Sequence, residues 1–304
     1  MGQESGMNIQ EIRDSGRPLV CSVSGGKDST AVILYLKEQE MEKTNPIYYV
    51  FADTGWEHPA VYTYLDEVIN PLCNGKLNKV TSKKYPGGME DLVRKKGMFA
   101  SRQFRFCTAE LKVVPILDYL SQFENPINVV GIRAQESYKR SKMDEWDEGG
   151  PMDVATWRPL IDFVIDDVVA IHARHGVVPC SLYLRDELPA SRVGCFPCLH
   201  SRKKEIRAVV EDPFGEKRLV QIRSLEKELG DAAEARNPDN VRPTFFQSRE
   251  AGESYWPIDE VVNWSKTAWG GKQLELFLPA DPSERGCQMW GLCDMPDKDG
   301  EFSA

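Results

Sequence analysis

Two groups of residues in this sequence combine side-chain types and spacings that suit chemistry. The first is the string Ser24-Gly25-Gly26-Lys27-Asp28-Ser29, and the second is Cys195-Phe196-Pro197-Cys198. Main-chain N–H groups, hydroxyls and an ammonium together bind phosphate. Two thiols at this spacing bind a soft metal or an iron–sulfur cluster. The sequence therefore predicts a phosphate-binding loop and a thiolate-held inorganic centre.

The phosphate-binding interpretation depends on where the loop lies in the chain. A short apolar run ends at Val23, and a helical pattern begins near Ala31. Glycines between them adopt positive φ and leave no Cβ in the way of a ligand. A plain glycine turn with a helix cap is the alternative, and the spacing is not that of the Walker motif. The residues predicted to contact a nucleotide here are Ser22, Ser24, Gly25, Gly26, Lys27, Asp28 and Ser29.

Alternating strand and helix patterns must position this loop. Continuous apolar runs are typical of strands buried on both faces, and they alternate with segments of helical periodicity. This alternation predicts an α/β fold with a mostly parallel sheet sandwiched by helices. The predicted strands are 19–23, 46–51, 77–81 and 127–132, and the predicted helices are 31–40, 60–69, 112–120 and 216–229.

Polar residues follow two of the predicted strands directly. Asp53 and Thr54 come after the second strand, and Gly131 and Arg133 come after the fourth. Ligands of parallel sheets bind outside the carboxyl ends of the strands, so we expect these residues to face the nucleotide. An arginine there can hold a phosphate or sulfate through its planar fork. The alternatives are a capped helix N-terminus after Asp53 and a surface ion pair between Arg133 and Glu136.

Composition limits the class of protein. The chain has 304 residues, 41% of them hydrophobic, and a net charge of −9. No run is long and apolar enough to span a bilayer, and the first 17 residues lack a signal-peptide core, so we expect a cytoplasmic protein without membrane partners. The acidic balance disfavours a surface that coats nucleic acid. Local basic stretches occur at 83–84, 94–96, 102–105 and 202–207, which are usually solvated faces, and those at 94–105 fit a nucleic-acid acceptor.

Six motifs occur in an order that resembles the phosphoadenosine phosphosulfate (PAPS) reductase family, within residues 17–207. The resemblance implies an adenine nucleotide alpha hydrolase-like fold with a PP-loop at 24–29. We accordingly expect a nucleotide-binding domain at 1–207 and a helical and loop region at 208–304 that folds back on it. The motifs are Ser24 to Ser29, Asp53-Thr54-Gly55, Cys107-Thr108-x-x-Leu111-Lys112-x-x-Pro115, Gly131-x-Arg133-x-x-Glu136-Ser137, Arg158-Pro159-Leu160 and Gly194-Cys195-x-x-Cys198.

The resemblance also bears on the cysteines. Cluster-bearing members of the family hold a 4Fe–4S cluster with a Cys-Cys pair and a Cys-x-x-Cys pair. Here Cys107 matches the first pair, but Thr108 replaces its second cysteine. Either Cys293, with Cys287 as the alternative, supplies the fourth thiolate, or three thiolates leave one iron open. A structural zinc or a free redox pair is the other interpretation of Cys195 and Cys198.

The intact loop resembles that of ATP-using relatives, which implies adenylylation with pyrophosphate release followed by sulfur transfer to a nucleic-acid or small acceptor. Lys27, Asp28 and Arg133 would be catalytic, and Mg²⁺ would accompany ATP or a PAPS-like nucleotide. One alternative is reduction of PAPS or adenylyl sulfate to sulfite, although the family's Glu-Cys-Gly-x-His tail motif is absent. A non-catalytic, nucleotide-gated component of a complex is the other. A sulfur-donor or electron-donor protein, and an oligomer, are compatible with each enzyme hypothesis.

Overall fold

A computed structural model describes residues 6–101, 103–149, 153–239, 241–247 and 255–267 of the chain. Within these residues, strands alternate with helices as far as Trp157, and helices follow. The strands are β1 (Leu19–Val23), β2 (Ile47–Ala52), β3 (Leu77–Val80), β4 (Ile127–Val130), β5 (Trp146–Asp147) and β6 (Thr156–Trp157). The helices are α1 (Ile9–Ser15), α2 (Lys27–Glu38), α3 (Pro59–Tyr64), α4 (Asn70–Leu72), α5 (Gly88–Lys96), α6 (Phe106–Thr108), α7 (Val114–Leu120), α8 (Ile165–Arg174), α9 (Lys203–Glu211), α10 (Gly215–Arg236) and α11 (Ile258–Ser265). π-Helical turns lie at Leu65–Ile69 and Ala109–Val113, and 3-10 turns lie at Met41–Lys43, Ala134–Glu136, Arg140–Lys142 and Ser181–Tyr183.

The six strands form one sheet in the order β3-β2-β1-β4-β6-β5. All neighbours are parallel except β5 and β6, which pair antiparallel at the edge. The order in which strands are added reverses at β1, since β2 and β3 lie on one side of β1 and β4 lies on the other. The predicted α/β fold is confirmed, and its four predicted strands are β1 to β4. The carboxyl ends of β1 and β4 meet at this switch point, where parallel sheets bind ligands.

Helices cover both faces of the sheet. One face packs on α1, α2, α3 and α8 through a buried cluster that includes Cys21, Ile33 and Trp157. The other face packs on α7, where Val20 and Val50 contact Leu120. Seven residues of α2 are buried, namely those at 29–34 and Leu36. This burial fixes α2 behind the loop that precedes it.

A second apolar cluster joins the region after residue 207 to the sheet domain. Trp56 and Leu92 pack there with Ile222 of α10 and Val261 of α11. Residues on both sides of position 207 therefore share one core, while the division of the chain at that position stays a prediction. No helix in the described ranges has the length and apolar character that crossing a membrane requires.

Candidate functional site

The loop between β1 and α2 is held by its own hydroxyl groups. The Ser29 hydroxyl accepts the Ser24 N–H (3.1 Å) and donates to the Gly26 carbonyl (2.9 Å). Gly25 has a φ of +72°, which favours glycine. Among the described residues, the N–H groups of Asp28 and Ser29 have no hydrogen-bond acceptor. The first turn of α2 thus presents N–H groups and its positive helix end, as an anion site requires.

Three charged side chains meet beside this loop. Arg133 Nε lies 2.5 Å from Asp28 Oδ1, and Lys27 Nζ lies 3.2 Å from Asp28 Oδ2. The exposed fraction of the side chain is 6% for Arg133, 16% for Asp28 and 12% for Lys27, so the ion pairs are largely shielded from water. Two cations share one carboxylate, which leaves a net positive charge at the end of β1 and β4. This charge favours a phosphate ligand.

Gly131 allows β4 to approach the loop. A Cβ at this position would lie 2.8 Å from the Asp28 carbonyl oxygen and 3.1 Å from the Ser29 nitrogen. The absence of a side chain is therefore what lets the strand end lie against the first turn of α2. Gly131 and Arg133 come from β4, and the loop comes from β1, so the predicted meeting of these segments is what the structure describes.

Asp53, Thr54 and Ser22 lie at the same edge, but their side chains are engaged within the protein. Asp53 Oδ1 accepts the Gly55 N–H (2.9 Å) and the Tyr62 hydroxyl (2.8 Å). Thr54 is buried and donates its hydroxyl to Glu57 (2.7 Å). The Ser22 hydroxyl donates to Asn128 Oδ1 across the sheet (3.3 Å). These nucleotide contacts stay predictions, and Thr54 faces the cysteines.

Three cysteines line one small cavity of about 30 Å³. Cys107, Cys195 and Cys198 form one wall, and Met89, Phe99 and Phe245 form much of the rest. Among the described residues, no three Cys, His, Asp or Glu side chains are gathered closely enough to hold a metal ion. The three thiols nonetheless are the donor type that a cluster or zinc takes. Cys287 and Cys293 lie outside the described residues, so the predicted fourth ligand stays a prediction.

Lys112 is the cation of the thiol site. The nearby Cys195 group raises the pKa of Lys112, and burial opposes this effect. Burial raises the pKa of Cys195, and the Lys112 charge partly lowers it again. Burial therefore favours the neutral thiol at Cys195, and the Lys112 charge opposes this effect. Lys112 lies in the π-helical turn after α6, at the position that matches the predicted motif, but its role beside the thiols was not part of the sequence prediction.

The thiol site is attached directly to the loop between β1 and α2. The N–H groups of Lys27 (3.4 Å) and Val193 (3.1 Å) both donate to the Tyr183 hydroxyl oxygen. Two residues after Val193, Cys195 pairs with Glu57 in a β-bridge, and its thiol lies 3.9 Å from the Thr54 hydroxyl. The loop after β2 and the loop at Lys27 therefore both hold the segment that carries the Cys-x-x-Cys pair.

Sequence reasoning missed three buried residues of this site. Glu57 accepts the Thr54 and Trp56 N–H groups and the Tyr62 hydroxyl. The Arg218 guanidinium from α10 lies 3.8 Å over the Trp56 ring and donates to the Glu57 carbonyl oxygen. Glu57 follows the Asp53-Thr54-Gly55 motif closely and offered a signal, but nothing in the sequence marks Arg218 or Tyr183 as a contact of segments more than 100 residues away.

Comparison with known proteins gives relatives and a family. An uncharacterized 37.8 kDa protein of Escherichia phage 186 is 28% identical over 331 residues, covering 90% of this chain and 96% of the relative. An uncharacterized nin-region protein of Escherichia phage lambda is 28% identical over 225 residues, covering 66% and 72%. The PAPS reductase of Candida auris, crystallised as a phosphate complex, superposes with a TM-score of 0.46 at 16% identity, covering 59% of this chain and 82% of that one. The model of the phosphoadenosine phosphosulfate reductase domain matches residues 18–201, more than half of the chain. The chain belongs to the phosphoadenosine phosphosulfate reductase domain family.

Proposed function

We propose that this protein binds ATP or a related adenylyl nucleotide at the loop after β1 and transfers sulfur from the adjacent thiol site to an acceptor that the nucleotide has activated. The observation that carries the proposal is the shared anchoring of Lys27 and Val193 on Tyr183, since it joins an anion site to the Cys-x-x-Cys segment. A nucleotide site and a thiol site held by one side chain are suited to a two-step reaction on one substrate.

The charges at the loop support the first step. An acceptor oxygen attacks the α-phosphorus of ATP, the bond between the α-phosphorus and the bridging oxygen breaks, and pyrophosphate leaves with that oxygen. Lys27 and Arg133 would neutralise the phosphate oxygens, and the free N–H groups of Asp28 and Ser29 would orient them. Mg²⁺ would arrive with the nucleotide. Asp28 holds both cations in place before the nucleotide binds.

The thiol cavity supports the second step. A sulfur nucleophile attacks the adenylylated carbon, and AMP leaves with the acceptor's oxygen. Cys107, Cys195 and Cys198 would hold the inorganic centre, and a bound iron–sulfur cluster would supply sulfur or electrons there. Lys112 would favour thiolate at these ligands by its charge. The apolar side chains of the cavity limit the access of water to a reactive sulfur.

The identity of the acceptor is not given by the basic segment at 94–96, because its charges already form ion pairs within the protein. Arg94 contacts Glu90 and Glu228, Lys95 contacts Asp91, and Lys96 contacts Glu110. The charges there are balanced by carboxylates on the protein, which weakens the support for a nucleic-acid acceptor at this segment. A small acceptor and a nucleic acid both remain candidates for the activated substrate.

Incubation with ATP–Mg²⁺ or with PAPS, scoring pyrophosphate and sulfite, tests the proposal. We expect pyrophosphate from ATP in the presence of acceptor and a loss of at least about 100-fold in Lys27→Ala, the range of an electrostatic contact to a developing charge. Lys43→Ala is the matched control, because Lys43 is exposed and pairs only with Glu40 among the described residues. Analysis of iron, sulfide and zinc after anaerobic purification identifies the inorganic centre.

Family membership supports a second candidate, the reduction of PAPS or adenylyl sulfate to sulfite. Release of sulfite from PAPS, with no pyrophosphate from ATP, would replace the first proposal by this one. Nucleotide binding with neither product would instead indicate a non-catalytic component of a complex. Failure to bind either nucleotide would refute both enzyme proposals.

A further inference from the structure

The side chain of Tyr183 occupies the junction between the two parts of the site. It lies in the 3-10 turn Ser181–Tyr183 and is 4% exposed. Its oxygen accepts the Lys27 N–H at 3.4 Å and the Val193 N–H at 3.1 Å, which uses both of its lone pairs. The hydroxyl proton has no acceptor among the described residues. Tyr183 therefore has one hydrogen-bond donor to offer a ligand.

The same residue also fixes the Lys27 side chain. Lys27 Nζ lies 5.2 Å from the centre of the Tyr183 ring, within the range of a cation–π contact. A Cβ on Gly26 would lie 3.4 Å from the Tyr183 oxygen, so the phenol packs directly against the glycine loop. The main chain and the ammonium of Lys27 thus both contact the Tyr183 side chain.

Tyr183 also holds the backbone just before the Cys-x-x-Cys segment, through the Val193 N–H. Val193 precedes Cys195 by two residues, and Gly194 between them has no heavy atom within 4 Å of an added Cβ. Beyond it, the Phe196 N–H donates to the Trp56 carbonyl oxygen at 2.8 Å. The segment is therefore fixed at Val193 and at Phe196, and a shift at Val193 moves the backbone next to Cys195.

We infer that Tyr183 is a positioning residue that couples occupancy of the nucleotide loop to the placement of Cys195. The inference rests on the proposed function, because it takes an adenylyl nucleotide as the occupant of the loop. A phosphate oxygen beside Gly26 accepts the Tyr183 hydroxyl proton. A phenol that donates a hydrogen bond becomes a stronger acceptor for the N–H groups that it already holds. Binding of the nucleotide therefore tightens the Val193 hydrogen bond and orders the cysteine segment.

Burial supports this role for the phenol. It raises the pKa of Tyr183, so the hydroxyl stays protonated and able to donate at any physiological pH. A matched control exists in Tyr64, whose equally buried hydroxyl lies 3.4 Å from the Thr30 hydroxyl on the same helix α2. Tyr64→Phe removes a buried hydroxyl behind α2 without touching Lys27 or Val193.

Amide hydrogen exchange of the full-length protein, with and without saturating ATP–Mg²⁺, tests the coupling. We expect ATP to slow exchange at Val193 by at least about fivefold in the wild type, the lower end of common coupling between sites. In Tyr183→Phe, exchange at Val193 should be faster and insensitive to ATP, while calorimetry still detects nucleotide binding. Tyr64→Phe should respond to ATP as the wild type does. A purely structural role for Tyr183 would change the exchange rate but not its response to ATP.

The outcomes separate the inference from the proposed function. If the wild type binds no adenine nucleotide, the proposed function fails and the coupling fails with it. If ATP binds but exchange at Val193 is unchanged, or if Tyr183→Phe keeps the response, the coupling alone is refuted. Should Tyr183→Phe not fold, the wild-type comparison at Val193 still decides whether the segment responds.

Discussion

The Asp28 carboxylate lies between two cations, so its removal should destabilise the protein more than removal of either cation. Arg133→Met leaves Lys27 and Asp28 as a balanced pair, whereas Asp28→Asn leaves two shielded cations side by side. Breaking a buried ion pair costs about 3–5 kcal/mol when no partner remains. We therefore expect Asp28→Asn to cost about 3 kcal/mol and Arg133→Met about 2 kcal/mol, since Lys27 still compensates the carboxylate.

The double variant gives the decisive comparison. Because Arg133→Met removes one of the two cations that Asp28→Asn strands, the double variant should be about 1 kcal/mol more stable than Asp28→Asn alone. Urea unfolding followed by circular dichroism measures each free energy of unfolding. Arg174→Met is the control, because Arg174 is 55% exposed in its ion pair with Glu38 and should lose less than about 1 kcal/mol. A double variant no more stable than Asp28→Asn would refute the charge argument.

Three further predictions concern separate parts of the site. Gly131→Ala should cost about 1–3 kcal/mol of stability and weaken ATP binding, because the new methyl meets the Asp28 carbonyl oxygen, whereas Gly149→Ala, with no atom near its Cβ, should be neutral in urea unfolding. Burial lowers the pKa of His58, so the unfolded chain binds a proton more readily and the free energy of unfolding should fall as the pH drops from about 6.5 through the folded-state pKa. His58→Asn keeps an acceptor for the helix cap and should reduce this dependence of the free energy of unfolding on pH. Lys112→Gln should slow alkylation of Cys195 in metal-free protein at pH 8, because the Lys112 charge lowers the pKa of this thiol against the larger effect of burial, and mass spectrometry of the labelled peptide measures the rate. An unchanged rate would remove Lys112 from the thiol site.

The central sheet was predictable because its strands carry local signals. Ile47–Ala52 is a continuous apolar run, and β1 precedes a glycine loop and a strongly apolar helix. The strands β5 and β6 were not predicted, because each has only two residues and shows no periodicity of its own. β6 pairs with β4, and β5 pairs with β6. Helix α10 extends to Arg236, beyond its predicted end near Leu229, because Leu229 and Ala233 are buried in the second core.

The site was predictable where its residues share a motif or where a general rule of the fold brings separate motifs together. Lys27 and Asp28 lie in one motif, and the rule that parallel strands end at a common edge brings Arg133 to them. No local sequence pattern predicts that the Tyr183 hydroxyl accepts the Lys27 N–H, because this hydrogen bond joins residues 156 positions apart. For Thr54, the motif predicted a contact with the nucleotide, but the residue is only 1% exposed. Its hydroxyl donates to Glu57 and lies near the Cys195 thiol.

The region after residue 207 lines the thiol cavity as well as supporting it. Phe245 lines the cavity with the three cysteines and stacks on Trp56 at 5.9 Å between ring centres. The Arg218 guanidinium also lies over this indole, 3.8 Å from the ring centre. Trp56 in turn holds the Cys195 segment through its carbonyl oxygen, and its indole N–H donates to the Pro197 carbonyl oxygen at 3.1 Å. Aromatic packing from the later part of the chain therefore sets the backbone on both sides of Phe196, while Tyr183 sets it at Val193. The cysteine pair is therefore positioned both from the loop between β1 and α2 and from the region after residue 207, so a chain ending at residue 207 would lose the Phe245 side of the cavity.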